Sequence, residues 1–486
     1  MMPLMVEAFG EKCAVVGVEG QEAAKLVMDG LIALQNRGSA SSGTAVMNEL
    51  GNTRIFRASG SASHVYRSEE AAVINGWDEQ YAVGHDLYST TGPRKVPNQP
   101  FGTERVVISH NGNCSVLSKL EEPLAEIGIR HPDSNDSVLA GLHINASLER
   151  GATITEAISR LMNDFEGSLS CTALIKDSDS NPVLAAFRDR HGIRPLAVGR
   201  TKNGGYAFAS ETHGLDAMGA TYLREVNPGE IILVQNGELK SYQVAESDPK
   251  FDIFEIIYFS NPNSLFRGVR IGDIRAGLGR QMAAEYSERQ SVDPHSLVIG
   301  IPQSGYLYAE SFAEELNLEY QPAITKDLSI GRSFMEPTQE KREQLRDRKY
   351  RFNLGMIAGR DIIAVDDSMV RNTTAPYIVK KLKEFGAKSV SWENNSPPIR
   401  FPNFYGIDTP EQDELAAARF TVEQIKDRID CIDLGFLTLE GLMTAVKRMT
   451  SQDRDKFELS CLNGIYQIPI GKRQIFQPAS KEKYAA

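Results

Sequence analysis

Two adjacent aspartates, Asp366 and Asp367, stand just ahead of Ser368 and the paired Thr373 and Thr374. These residue types could hold a phosphorylated sugar. Loop amides at the start of a helix can cradle a phosphate, whereas carboxylates repel one. The two acids must therefore serve another group, and vicinal ribose hydroxyls are the natural candidates. A phosphate beside two sugar-binding acids describes a ribose 5-phosphate site. The flanking elements suit that task. Residues 362–365 form an apolar run, as expected of a strand buried on both faces of a parallel sheet. Beyond the loop, Ile378, Val379 and Leu382 recur at helical spacing, with Pro376 early and Gly386 at the end. Strand, acidic pair, hydroxyl-rich loop and helix are how an open α/β sheet builds a crevice at the carboxyl ends of its strands. The blander reading has the aspartates merely ending a strand and capping a helix.

The run at 361–374, DIIAVDDSMVRNTT, resembles the phosphoribosyl-diphosphate (PRPP) loop of type I phosphoribosyltransferases, in the amidophosphoribosyltransferase version VDDSIVRGTT. That resemblance implies PRPP binding by Asp366, Asp367, Ser368, Arg371, Thr373 and Thr374. Asn372 stands where the pattern has glycine. Asparagine tolerates left-handed backbone better than most residues, so the loop is expected to keep its shape with a side chain intruding. A second strand, turn and helix at 297–316 places Ser304 and Gly305 where the family receives the pyrophosphate, with Gln303 replacing the aspartate of PDSG. Residues 324–343 resemble the mobile loop that closes over PRPP, with Lys326 and Arg332 at matching positions. Lys349 falls on a pyrophosphate-binding lysine. A charged stretch of this kind is ordinarily a solvated surface loop. A lid is favoured here because displacing pyrophosphate creates a carbocation-like ribose that water would trap. Mg²⁺ is the expected cofactor, held mainly by substrate oxygens, with Asp366 and Asp367 acting through PRPP.

In the first half, CAVVGV reads as a strand from Cys13, followed by an amphipathic helix ending near Gly38. Short β-rich runs with glycine and asparagine turns dominate, and two helical stretches fall near 136–149 and 154–166. The motifs GHDLYSTTG, VVISHNGNC and RDRHGIRPL resemble, in order and spacing, the class II glutamine amidotransferase domain, an N-terminal-nucleophile hydrolase. The resemblance implies that Cys13 attacks a side-chain amide, with its own α-amino group as base once a propeptide, residues 1–12, is removed. Asn111, through its side-chain amide, and Gly112, through its backbone N–H, would hold the oxyanion. Three positions depart from the pattern. Leu87 replaces the arginine that grips the glutamine α-carboxylate, a contact only a guanidinium makes well. Asn135 replaces the aspartate that faces the α-ammonium, with Asp136 one residue late. Ala40 replaces a glutamate. Arg37, Arg94 and Asp136 are the nearby groups able to compensate. Either the pocket takes a different amide, or the domain is a relic with a scaffolding or regulatory role.

The chain of 486 residues is long enough for two or three domains, and its 41% apolar and 24% charged residues are those of a soluble globular protein. A net charge of −11 argues against nonspecific nucleic-acid binding. No apolar run approaches the ~18–20 residues that span a bilayer. The N-terminus lacks the features of a secretory signal, and five scattered cysteines suggest a reducing cytoplasm. Some members of the family carry a [4Fe–4S] cluster on four cysteines. The matching positions here are Asp252, Asn403, Glu458 and Cys461, so no Fe–S cluster is expected.

The sequence therefore predicts an α+β Ntn-hydrolase domain (αββα sandwich, 13–243), a junction at 244–252, an α/β type I phosphoribosyltransferase domain (252–466) and a loosely held tail (467–486). The function implied is amidophosphoribosyltransferase-like: ammonia or glutamine nitrogen replaces pyrophosphate at C1 of PRPP, the first step of purine synthesis. Purine nucleotides are expected inhibitors and a homo-oligomer, tetramer or dimer, the expected assembly. The rivals are a phosphoribosyltransferase using ammonia or another amine beside a silent glutaminase domain, and an inactive paralogue that binds PRPP or nucleotide and regulates a partner.

Overall fold

The structure, a computed structural model, describes residues 13–74, 76–87, 99–130, 135–327, 348–407, 409 and 411–478. Its first half is built on two antiparallel sheets. In one, seven strands lie in the order Thr221–Glu225, Ala197–Arg200, Tyr206–Ala209, Ala14–Glu19, Tyr81–Leu87, Ser41–Met47, Thr53–Ser59. In the other, six strands run Glu238–Gln243, Glu230–Gln235, Pro182–Arg188, Gly167–Lys176, Val106–Cys114, Phe101–Gly102. Side chains alternate between the faces of each strand. Val15, Val83, Val107 and Leu174 meet between the sheets. Ala14, Val16 and Val18 turn outward against the helix Ala23–Ala33, and Val106 and Ile108 turn outward against the helices Asp136–Glu149 and Ile154–Asp164. This is the αββα sandwich.

The second half carries a parallel five-stranded sheet, ordered Glu319–Tyr320, Leu297–Gly300, Asp361–Asp366, Ser389–Asn394, Asp433–Phe436. The run at 362–365 is buried on both faces, as its composition requires. Ile363 and Val365 join a core with the helices Ile271–Arg289, Gly305–Leu316 and Leu439–Thr450. Ile362 and Ala364 join another with the helices Thr374–Glu384 and Val422–Ile429. The acidic pair therefore leaves a central strand at its carboxyl end, where an open α/β sheet forms its crevice.

The junction ends at Phe251–Asp252, which pair in parallel with Phe457–Glu458. The tail departs from expectation. It is pinned to the first half, because Ser115 Oγ donates to the Pro469 carbonyl (2.5 Å) and Arg473 donates to the Ser115 carbonyl (2.8 Å). Ile468 is buried with Ile193 and Tyr405. A basic, polar composition did not reveal these anchors, which are one tail carbonyl, one guanidinium and one buried apolar side chain.

One buried group resists a structural explanation. Asp86 is fully buried on the helix-facing side of its strand, and neither carboxyl oxygen has a hydrogen-bond partner. Its cross-strand neighbour Ser42 donates instead to Tyr66 Oη (2.9 Å). Burial pushes the Asp86 carboxyl well above its ordinary range, so the folded state holds the proton more tightly than the unfolded chain. Such an acid contributes its full stability below the unfolded carboxylate range and loses it as pH rises toward the folded value. Asp86→Val removes a buried polar group left unmet, worth about 1–3 kcal/mol. The expected outcome is a Tm raised by about 2–6 °C at pH 8 and by less at pH 4.5, read by differential scanning fluorimetry. An equal shift at both pH values would contradict a protonated Asp86.

Candidate active site

A cavity of about 420 Å³ opens at the carboxyl ends of the parallel strands. Its walls include Ser304, Lys326, Asp366, Asp367, Ser368, Arg371, Thr373 and Thr374, so the structure brings these expected residues together. Gly305 opens the helix behind Ser304. A Cβ there would lie 2.6 Å from the Val365 carbonyl, so only glycine lets this turn approach the strand end so closely. Lys349 is not among the wall residues. It is half-buried beside Tyr350, which does line the cavity, and its carbonyl accepts from the Asp327 N–H (2.8 Å). Arg332 lies outside the described residues.

The acidic pair is fixed by its neighbours. Ser304 Oγ and Ser368 Oγ (2.5 Å) donate to the two oxygens of Asp367, and the Asp367 N–H donates to Asp366 Oδ1 (2.9 Å). Burial raises the Asp366 carboxyl well above its usual range, and the adjacent Asp367 charge adds to the rise. Two crowded carboxylates that resist ionising together are a site for a ligand that brings positive charge or hydroxyl donors. No group of three or more His, Cys, Asp or Glu among the described residues could hold a metal ion. A divalent cation here would take most of its ligands from the substrate, which suits Mg²⁺.

Asn372 adopts φ 57°, the left-handed conformation the pattern's glycine would take, and its buried Oδ1 has no hydrogen-bond partner. The loop keeps its shape with an amide set in its wall. Arg371 is half-buried and donates to Glu414 (2.8 Å). The linker contributes Tyr258, Ser260 and Asn261, and the first domain contributes Asn36, whose amide donates to the Phe259 carbonyl (3.4 Å). The sequence reading missed these residues as wall. The run 254–268 follows the junction and carries none of the motifs singled out above, and Asn36 lies in a turn of the other domain.

The second constellation lies between the two antiparallel sheets. Alternation puts Cys13 on the same side as Val15, Leu87 on that of Val83, and Asn111 on that of Val107. Ala14 pairs with Asp86, so Cys13 and Leu87 are the next residues of adjoining strands. Asn111 is buried and its Nδ2 has no hydrogen-bond partner, which leaves a donor for an oxyanion. A Cβ on Gly112 would collide with the Ser168 carbonyl and lie 2.7 Å from His110 Nε2.

Among the described residues, the polar and charged groups around this constellation that the sequence singled out are committed elsewhere. Asn135 caps the helix Asp136–Glu149 by accepting from the Val138 N–H (3.1 Å). Asp136 accepts from the Cys114 N–H (3.0 Å) and the Ser137 N–H (2.8 Å). Arg37 donates to the Cys13 carbonyl (3.0 Å), Glu211 (2.7 Å) and both oxygens of Glu255 (2.7 and 2.8 Å). Arg94 lies outside the described residues.

The four positions that match cluster ligands do converge. Asn403 Nδ2 donates to Glu458 (3.2 Å), and Asp252 pairs across from Glu458. Yet the carboxylates are already satisfied by this chain. Asp252 accepts from Arg194 (2.5 Å) and the Phe254 N–H (2.9 Å), while Glu458 accepts from the Ser460 N–H (2.7 Å). Burial pushes Glu458 up to about 7 and drives the Cys461 thiol well above its usual range. One protonated thiol among oxygen donors does not fit an iron–sulfur cluster.

Comparison with known proteins bears on both sites. Residues 93–217 match the family model described as a glutamine amidotransferase domain. The chain is 36% identical to the amidophosphoribosyltransferase of Synechococcus elongatus, covering 95% of this chain and 92% of that one. It is 34% identical to that of Archaeoglobus fulgidus, covering 94% and 98%. Among solved structures, glutamine PRPP amidotransferase from B. subtilis, complexed with ADP and GMP, superposes with a TM-score of 0.85 at 30% identity, covering 95% of this chain and 99% of that one.

The misfit at Asp252, Asn403, Glu458 and Cys461 generates a direct check. Protein purified anaerobically is expected to be colourless, with no stoichiometric iron by elemental analysis. Brown protein with about four irons per chain would show that the cluster positions were wrongly matched.

Proposed function

The chain belongs to the amidophosphoribosyltransferase family, and on that premise we propose that it replaces the pyrophosphate of PRPP with nitrogen at ribose C1, giving 5-phosphoribosylamine. The observation that carries this reading is the cavity in which Asp366 and Asp367 stand beside the 368–374 loop at a helix start. The loop amides and the hydroxyls of Ser368, Thr373 and Thr374 receive the 5-phosphate. Asp366 and Asp367 accept from the ribose hydroxyls, and binding favours the ionised form of a pair that is crowded when empty. The turn at Ser304 and Gly305 receives the pyrophosphate, with Lys326 facing its charge. Asp366 and Asp367 would hold Mg²⁺ through the substrate oxygens, and the chemistry such an ion would supply is neutralisation of phosphate charge. The protein's share of catalysis is to position C1, offset departing charge and keep water from the oxocarbenium-like carbon.

Ammonia is the nitrogen source this geometry supports best. The nucleophile position and the oxyanion donor remain, but among the described residues the charged groups named beside them, Arg37 and Asp136, are committed elsewhere, which disfavours a zwitterionic amide. A purine nucleotide carries the same ribose 5-phosphate, so GMP should compete with PRPP for this cavity. No helix among the described residues is long and apolar enough to cross a membrane, and a homo-oligomer is the proposed assembly.

Pyrophosphate release from Mg²⁺–PRPP, with ammonium chloride or glutamine supplied separately, tests the reading. Release with ammonium is expected, with competitive inhibition by GMP. Asp367→Ala should weaken PRPP binding by about 100-fold or more, because a buried hydrogen-bonded charge contact is worth about 2–5 kcal/mol. A wild-type protein with no calorimetric affinity for Mg²⁺–PRPP would remove the transferase reading.

A further inference from the structure

The tail that is pinned to the first domain also reaches the second. Phe476 meets the side-chain amide of Gln412 with both of its backbone groups. Its N–H donates to Gln412 Oε1 (3.1 Å), and its carbonyl accepts from Gln412 Nε2 (2.9 Å). Nε2 also donates to the Arg400 carbonyl (3.1 Å). Gln412 is buried, so its amide depends on partners within the protein, and Phe476 supplies two of these three contacts. The Phe476 side chain takes no part in the pairing and is 46% exposed.

Gln412 opens a short 3₁₀ turn, Gln412–Glu414, that backs the 368–374 loop. A single turn of this kind holds its shape only through its neighbours. Glu414 accepts from Arg371 (2.8 Å), and the Ala416 N–H donates to the Val370 carbonyl (2.8 Å). Leu415 shares a core with Val370, and Ala416 shares the other with Met369. Met369, Val370 and Arg371 all line the cavity. Residues 412–416 are thus a wall behind the middle of the loop, and Gln412 is where that wall is fastened. The far side of the fastening is firm. Pro469 and Arg473 hold the tail to Ser115, and Tyr405 Oη donates to the Ile468 carbonyl (2.6 Å).

We propose that the backbone of Phe476, acting through Gln412 and Glu414, is a positioning element that holds residues 369–371 in the conformation that receives PRPP. The inference rests on the transferase reading for its effect on PRPP, but not for its effect on the loop. A loop that samples its receptive conformation for only a fraction of the time binds with an apparent Kd raised by the inverse of that fraction. Once substrate is bound, the loop is ordered with or without the tail. The loss therefore falls on KM and leaves kcat nearly unchanged.

The test compares the full chain with a variant ending at Gln474, which keeps the Ser115 anchors and removes Phe476. Ammonium-dependent pyrophosphate release should show KM for PRPP raised by about 10-fold, the scale of one or two lost hydrogen bonds, with kcat within about twofold. Phe476→Ala keeps both backbone groups and should retain the wild-type KM. Glu414→Ala should raise KM by a similar factor, and adding the truncation to it should change little more, because both act through one contact. Hydrogen exchange without ligand gives a readout independent of activity. Peptides covering 368–374 and 411–416 should exchange faster in the truncated chain, while the strand Asp361–Asp366 stays as protected as in the wild type. An unchanged KM in the truncated enzyme overturns the proposal. So do Phe476→Ala as impaired as the truncation, multiplicative effects of truncation and Glu414→Ala, and faster exchange spread evenly through the second domain. If the wild type releases no pyrophosphate, the transferase reading falls and exchange decides alone: unaltered exchange in 368–374 then overturns the tail's role, and faster exchange confined to the two peptides upholds it.

Discussion

The guanidinium of Arg37 holds the two halves of the molecule in register. It is fully buried and reaches three places at once: the backbone of Cys13, Glu211 in the first domain and Glu255 in the linker turn. Burial alone would raise the Glu255 carboxyl, but Arg37 and Arg194 pull it down to about 2, so Glu255 meets Arg37 as a carboxylate. A buried ion pair of this kind is poor evidence of net stabilisation, since hydrophobic replacements often serve as well. Its distinctive property is geometric. Breaking one partner strands the others, so the strand that begins at Cys13 and the turn Glu255–Phe259 cannot shift independently.

That constraint explains why the PRPP cavity is not the property of one domain. Asn36, next to Arg37, reaches the Phe259 carbonyl, and both residues belong to the cavity wall. Behind the oxyanion strand the arrangement is reciprocated. Asn113 donates to the Phe404 carbonyl (2.8 Å) and Ser168 to the Tyr405 carbonyl (2.7 Å), so a loop of the second domain backs the amide site of the first. Each site is walled partly by the other domain.

How much of this could be read in the sequence follows from where the information lies. The strand at 361–366 was legible because burial on both faces demands a continuous apolar run, and Asn372 because its position in the loop calls for left-handed backbone that asparagine accepts. The strand after Cys13 was legible as an apolar run, and the helices Asp136–Glu149 and Ile154–Asp164 as helical stretches near 136–149 and 154–166. What could not be read was commitment. Asp136 and Arg37 appear in the sequence as charges able to serve a substrate, and only their amide and carboxylate partners show that they are occupied. The tail misled for a related reason, since composition does not say which partners Arg473, Ile468 and the Pro469 carbonyl will find. Asp86 remains a buried acid for which the fold offers no reason.

The contact between Gly112 and Gly406 bears on how such a chain can evolve. A Cβ on Gly406 would stand 3.2 Å from the Gly112 Cα, so at this point the two domains meet backbone to backbone. A seam that tight has no slack for drift on either side. Even if amide chemistry at Cys13 were lost altogether, the strand Val106–Cys114 would still be the surface on which the transferase loop is moulded. Selection for the transferase reaction alone would then bear on the shape of the strand Val106–Cys114, whatever became of the chemistry at Cys13.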